Sequence, residues 1–351
     1  MKGIEEIKCR VPVLIGLSIL AVLVGVRQTY GQVDVTTVDI SNLPIRDPYI
    51  LADEGSATYY LYKAAGVSDG TGKHVSGVVA YKSNDLTSWK GPITVFSMPS
   101  DNWIQGAIWA PEVHHYQGRY YLFATLNSDI EWKKQRPDWP KYTFRATQIF
   151  HSDSPEGPFM PFSDKLPQTP MDRMALDGTL WVENGTPYMI YCHEWVQIRD
   201  GSVVLQRLSP DLAKPVGPPL TLFHASSAPW STGDPHDGAE PSYVTDGCFL
   251  YRTKTGKLLM IWSSFKSGSY AIGIAESATG RVVGPWTQHS EPLFEKDGGH
   301  GMLFTTFDEM LMLTFHSPNS PSGKERAVIY EVEDTGDSLV VIDKGTGLDD
   351  F

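Results

Sequence analysis

The sequence predicts an all-β protein, a five-bladed β-propeller whose active site lies at one mouth of the central channel. Three observations carry that reading. Beyond residue 33 helical periodicity is hard to find, whereas short apolar or alternating runs bounded by Gly, Asn, Asp and Pro recur throughout. Five of those runs resemble one another: "TYYLYKA" from Thr58, "RYYLFAT" from Arg119, "PYMIYCH" from Pro187, "KLLMIWS" from Lys257 and "EMLMLTF" from Glu309. Each is followed by a further strand-like segment, and several close on a Ser-x-Asp or Gly-Pro-aromatic pattern, such as "TQIFHSDSPEGPF" and "IGIAESATGRVVGPW". A unit of three or four antiparallel strands cannot bury both of its faces alone. Such units must stack, and radial stacking leaves only short edges. A pair of sandwiched sheets is the alternative, but it gives no reason for a fivefold echo.

The N-terminus reads as a targeting segment. Lys2, Lys8 and Arg10 precede an uncharged stretch from Val11 to Val26, and Thr29-Tyr30-Gly31 has the small-x-small form of a cleavage site. Residues 1–31 are therefore expected to be a signal peptide, with an uncleaved anchor as the alternative because Glu5 and Glu6 dilute the positive flank. Residues 32–351 form a single propeller domain on this reading, exported to the periplasm or beyond and free of the membrane once the signal is removed. Cys9 precedes the apolar run and is not placed as a lipoprotein cysteine. Cys192 and Cys248 are too few for a disulfide framework and lack zinc-ligand spacing, so two buried thiols are expected. The net charge of -12, with Lys and Arg scattered, argues against nucleic acid as a partner. The protein is read as a monomer. Ten Trp and sixteen Tyr suit flat, amphipathic ligands such as sugars, although most of them must be core in any all-β protein.

Ahead of each repeated run stands another short strand: "RDPYILAD", "WAPEVHHY", "LDGTLWVE", "AEPSYVTD" and "GHGMLFTT". These are the expected innermost strands. Aligned on Pro48, Pro111 and Pro241, with Gly178 and Gly301 in the same place, they bring Asp47, Ala110, Asp177, Glu240 and His300 to one equivalent position. Inner strands run side by side around the axis, so equivalent positions near their starts face one another across one mouth of the channel. Three carboxylates gathered there repel when all are ionised, so at least one pKa should rise. Stability favours no such cluster. Glu112, two residues beyond Ala110, falls on the same face but deeper, and is read as a structural polar residue paired within the channel. Arg46, one position off the slot, is expected to point away from the centre.

With those motifs in order, the mature chain resembles glycoside hydrolase family 43: Arg-Asp-Pro at Asp47, Trp-Ala-Pro-Glu at 109–112, Leu-Asp-Gly at Asp177, Ala-Glu-Pro at Glu240 and Gly-His-Gly at His300. Each tripeptide is weak alone; their order across five repeats is specific. The resemblance implies an inverting glycosidase in which Asp47 is the general base, Glu240 the general acid, and Asp177 the carboxylate that raises the pKa of the acid and orients it. Inversion needs one protonated and one ionised carboxyl group, spaced about 6.5–9.5 Å apart to admit sugar and water. The resemblance also implies that His300 lies beneath the sugar, near a water or a calcium ion in the channel, which makes it a metal candidate acting through water.

Around the pocket, Trp109 is expected as a sugar platform, Glu194 and Trp195 as rim residues of the third blade, and Arg326 as an arginine reaching the sugar. The insertion beginning at Asn127 is long and aromatic, a wall for subsites on the leaving side. The substrate expected is a plant-type glycan containing arabinose, xylose or galactose, with α-L-arabinofuranosidase as first choice. β-Xylosidase, endo-arabinanase and galactofuranosidase or galactanase remain open, because loops rather than carboxylates set specificity. A non-catalytic sugar-binding propeller is the competing class. A retaining fructan-cleaving propeller is a third, but it opens on Asn-Asp-Pro where this chain has Arg46.

Overall fold

Five antiparallel sheets, each built from consecutive strands, make up the computed structural model, which describes residues 35–233 and 240–346. The expected signal segment lies outside the described residues. The sheets are arranged as the five blades of a propeller. Their innermost strands are Tyr49–Asp53, Ile108–Tyr116, Ala175–Glu183, Asp246–Arg252 and Gly299–Thr305. The repeated runs form the second strand of each blade: Thr58–Ser68, Arg119–Glu131, Thr186–His193, Leu258–Lys266 and Leu311–Ser317.

Val, Ile, Tyr and Phe dominate these strands because their branched or aromatic side chains fit a pleated, buried surface. One buried cluster packs Leu122, Ala124 and Phe150 of the second blade against Tyr62, Val78 and Phe96 of the first. Others join Ile190 and Val203 of the third blade to Leu250 and Met260 of the fourth, and Ile261 and Ile272 of the fourth to Leu313 and Phe315 of the fifth. No blade buries itself; neighbours do it for one another. Cys192 and Cys248 are buried free thiols within the cluster between blades three and four, as expected.

The ring closes without a shared sheet. The first strand, Thr36–Asp39, pairs with Ser88–Ser97 at the outer edge of the first blade, while the fifth blade is made wholly of later strands. Blades one and five meet instead through Tyr59, which packs against Phe304 and Phe307 and accepts a 2.9 Å hydrogen bond from the Phe307 amide. Nearer the mouth, a bridge joins Pro44 to Arg326 and the Ile45 amide donates to the Glu325 carbonyl.

The inner strands of blades two to five share one irregularity. Each breaks its ladder near its start, between Trp109 and Glu112, Leu176 and Thr179, Asp246 and Phe249, and Gly299 and Met302. The second residue of each stretch has a positive φ: 40° at Ala110, 55° at Asp177, 46° at Gly247 and 55° at His300. Asp47, just ahead of the first inner strand, has a φ of 52°. Such bulges bend a strand and re-aim a side chain, and here they turn one residue per blade into the mouth.

Candidate active site

The repeated bulge defines the slot by geometry, and it corrects the sequence alignment in one blade. Asp47, Ala110, Asp177 and His300 occupy it as expected, but the fourth member is Gly247, not Glu240. Glu240 is exposed, lies ahead of the strand, and its main-chain carbonyl accepts a hydrogen bond from Arg199. It is not among the described residues lining the cavity. The fourth slot cannot hold a side chain: a Cβ at Gly247 would stand 2.7 Å from both Cα and Cγ of His300. The carboxylate that this blade brings to the cavity among the described residues is Asp246, one residue before the slot. Spacing carried the signal, since the slot precedes the second strand by nine to eleven residues in every blade when Gly247 is chosen, whereas Glu240 lies eighteen before Leu258.

One imidazole organises the cluster. Nδ1 of His300 lies 3.2 Å from Asp47, 3.6 Å from Asp246 and 3.9 Å from Asp177. Burial alone would lower the pKa of His300, but the carboxylates of Asp47, Asp177 and Asp246 outweigh it and push it up to about 10, so the ring is an imidazolium. Burial would likewise raise Asp47; His300 and His316 outweigh that and hold it below the usual carboxylate value. Nδ1 of His316 stands 3.2 Å from both the amide and the carboxylate of Asp47, and it can serve only one of them at a time.

Asp177 and Asp246 behave as a pair. Asp177 is driven well above its usual value by burial and then by Asp246, whereas Asp246 is held low despite burial by hydrogen bonds from Asp177, His300 and Tyr270. Two adjacent carboxyl groups that cannot both ionise hold one proton between them. Asp177 is fixed from below: its amide donates to the Thr125 hydroxyl at 2.8 Å, and it accepts from the Gly247 amide at 3.3 Å. Asp246 accepts a 2.6 Å bond from the Tyr270 hydroxyl, a buried group with no other role visible from sequence. The Asp47 and Asp246 oxygens nearest His300 are at most 6.8 Å apart, the sum of their two distances to its nitrogen.

Above the cluster opens a cavity of about 240 Å3 lined by Asp47, Asp177 and Asp246 together with Trp109, Glu194 and Trp195. The last three stand where the sequence placed them. Trp109 is 42% exposed, and its face is covered by the Arg145 guanidinium at 4.2 Å. Arg145 also pairs with Glu194, whose carboxyl burial raises above the usual value against the pull of that arginine. No motif marked Arg145. Within the insertion after Asn127, Trp139 packs edge-on to Trp195 at 5.7 Å and donates to the Val196 carbonyl.

Two expectations fail here. Arg46 does not point away; it lines the cavity 3.8 Å from Asp47 and reaches across the seam to Glu325 and Asn319. The left-handed residue that follows it breaks the strand alternation on which the expectation rested. Arg326 is not among the residues lining the catalytic cavity, because its guanidinium is tied to the neighbouring Glu325 carbonyl at 2.9 Å.

Asp177, Asp246 and His300 bring one potential metal-ligand atom each within 4.8 Å of one another. Calcium takes six to eight oxygens. Two carboxylates and one imidazole do not fill such a shell by themselves, so a calcium ion here would take most of its oxygens from water.

Known proteins resemble this chain over most of its length. A family model described as "Glycosyl hydrolases family 43" matches residues 39–333. An endo-arabinase from Bacteroides thetaiotaomicron superposes with a TM-score of 0.73 at 40% identity, covering 84% of this chain and 96% of that one. An α-L-arabinofuranosidase from Lactobacillus brevis shares the fold at a TM-score of 0.64 and 17% identity, over 87% and 97% of the two chains. Among curated sequences, "Alpha-L-arabinofuranosidase 43" of Humicola insolens is 23% identical over 196 residues, which are 54% of this chain and only 36% of that relative.

Proposed function

The chain belongs to glycosyl hydrolases family 43, a family of inverting glycosidases, and from that premise we propose that it hydrolyses α-L-arabinofuranosyl linkages within an arabinose-containing glycan. The observation that carries the reading is the opposition of an ionised Asp47 to the Asp177–Asp246 pair, which holds a proton, with His300 between them. Asp47 takes a proton from the attacking water. The Asp177–Asp246 pair, which lines the cavity, gives its one proton to the leaving glycosidic oxygen; the proton resides on Asp177, where burial and the charge of Asp246 keep it near neutral pH. The imidazolium of His300 holds the three carboxyl groups together and lies under the sugar.

The choice of arabinose follows the 40% identical relative, described as an endo-arabinase. The mouth supports a chain-binding mode. The catalytic cavity continues on one side into a hollow of about 230 Å3 and on the other into one of about 760 Å3, and Arg46 lines all three. A substrate can extend both ways from the cluster. The N-terminal apolar segment supports export to where such polymers are met. The test is product analysis on linear and branched arabinan with the anomer followed by NMR: short oligosaccharides formed with inversion support the reading. A retained anomer removes the mechanism, and no turnover of any arabinose glycan removes the substrate.

A further inference from the structure

The smaller hollow, at the seam of blades one and five, shares Arg46, Asp47 and Trp109 with the catalytic cavity and adds Pro44, Lys63, Ala64 and Glu325. Its lining charges are Arg46 and Lys63 against Asp47 and Glu325, but the pairing leaves Lys63 out. Asp47 is committed to His300 and His316, and Glu325 to Arg46 at 3.1 Å and to the Gly323 amide. Lys63, half-buried on the second strand of the first blade, has no carboxylate partner and no hydrogen bond among the described residues. The charge that acts on it is a like one, Arg326, whose backbone bridges to Pro44 of the same hollow. Arg326 itself is held by a carbonyl, not by an acid.

A half-buried ammonium beside a second cation is a cost to the folded state, and an apolar side chain would pack there without it. The chain has 41 acidic residues against 29 basic ones, so acids were not scarce. What Lys63 lacks is a negative charge, which a ligand can bring, and the ligand must also suit the exposed part of Trp109, which lines both this hollow and the catalytic cavity.

We propose that this hollow is a subsite for a uronic acid residue of the glycan, with the sugar carboxylate on the Lys63 ammonium and the ring against Trp109. The proposal rests on the glycosidase reading for its location, and it makes the natural substrate an acidic, branched polymer rather than a neutral one.

The test is a binding titration of wild-type protein, Lys63→Met and Lys63→Arg with methyl β-D-glucuronide, methyl β-D-glucoside and sodium acetate. Wild type should take the glucuronide about tenfold more tightly than the glucoside at low ionic strength, the size expected of one charged hydrogen bond, and less so in high salt. Lys63→Arg should keep the preference, and Lys63→Met should lose it while melting no lower than wild type. Equal affinity for glucuronide and glucoside overturns the proposal, as does a preference that survives in Lys63→Met. Acetate competing as well as the glucuronide reduces the site to a simple anion contact and also overturns it. Should Lys63→Met fail to fold, the wild-type comparison of the two glycosides still decides. Because binding is read without turnover, a glucuronide preference in a protein inert on every arabinan would remove the proposed reaction and leave the subsite standing.

Discussion

Two histidine–carboxylate groups sit on the inner strands of this propeller, and they differ in arithmetic. Two residues below the slot, Glu112 meets His114 at 2.8 Å, with the Tyr49 hydroxyl 3.2 Å from the other ring nitrogen and the Phe123 ring packed edge-on at 5.0 Å. One acid faces one base, apolar rings close the space, and nothing is left over. At the mouth three acids gather on His300 while His316 and Arg46 serve Asp47 alone of the three, so the Asp177–Asp246 pair retains a proton and a cavity stands above it. Both groups are buried ionisable clusters. Only the unbalanced one can exchange protons with a ligand, and that imbalance separates a site from a strut.

The largest effect expected from this contrast is at Asp47. Asp47→Asn should lower kcat by about 10²–10⁴-fold with an unchanged melting temperature, the loss typical of a missing general base; a near wild-type rate would break the contrast at once. Next comes the fourth blade. Asp246→Asn should cost a similar factor, while Glu240→Gln, at an exposed position, should stay within about threefold. A larger loss in Glu240→Gln than in Asp246→Asn would return the acid role to Glu240. The lower group should respond in the opposite sense: Glu112→Gln breaks a buried pair and should cost about 1–3 kcal/mol of stability, read by denaturant unfolding, with kcat little changed.

Smaller effects follow from pH. Asp47 works ionised and its pKa is held below the usual carboxylate value, so the acid limb of kcat/KM should lie below about pH 3.9, and the alkaline limb should mark loss of the proton shared by Asp177 and Asp246. His300 is raised in the folded protein to about 10. Its stabilising effect is therefore complete below about pH 6.5 and disappears as pH climbs through about 10. The stability advantage of wild type over His300→Asn should fade across that window.

Much of the architecture was legible in the chain because strand periodicity and turn residues are local signals. Four of five slot members were legible for the same reason: a Pro or Gly follows Asp47, Ala110, Asp177 and His300 where the ladder has barely begun. The fourth misled because Ala-Glu-Pro imitates the pattern by composition, while the true slot holds a glycine that no side chain could replace beside His300. Arg46 was misplaced because period-two reasoning fails across a left-handed residue. Arg145 and Tyr270 gave no signal, as each sits on the third strand of its blade and meets the inner-strand residue, Trp109 or Asp246, only once the blade has folded.

The manner in which the ring closes bears on how such a protein would fail. The line between the first and last blades is held by buried apolar and aromatic side chains and a handful of polar links, not by a continuous ladder, and the reacting centre draws Asp47 from one bank and His300 from the other. A gap of a single ångström along that line would part base from histidine while every blade kept its own hydrogen bonds. On warming, turnover would therefore die before the circular-dichroism signal of the sheets began to fade.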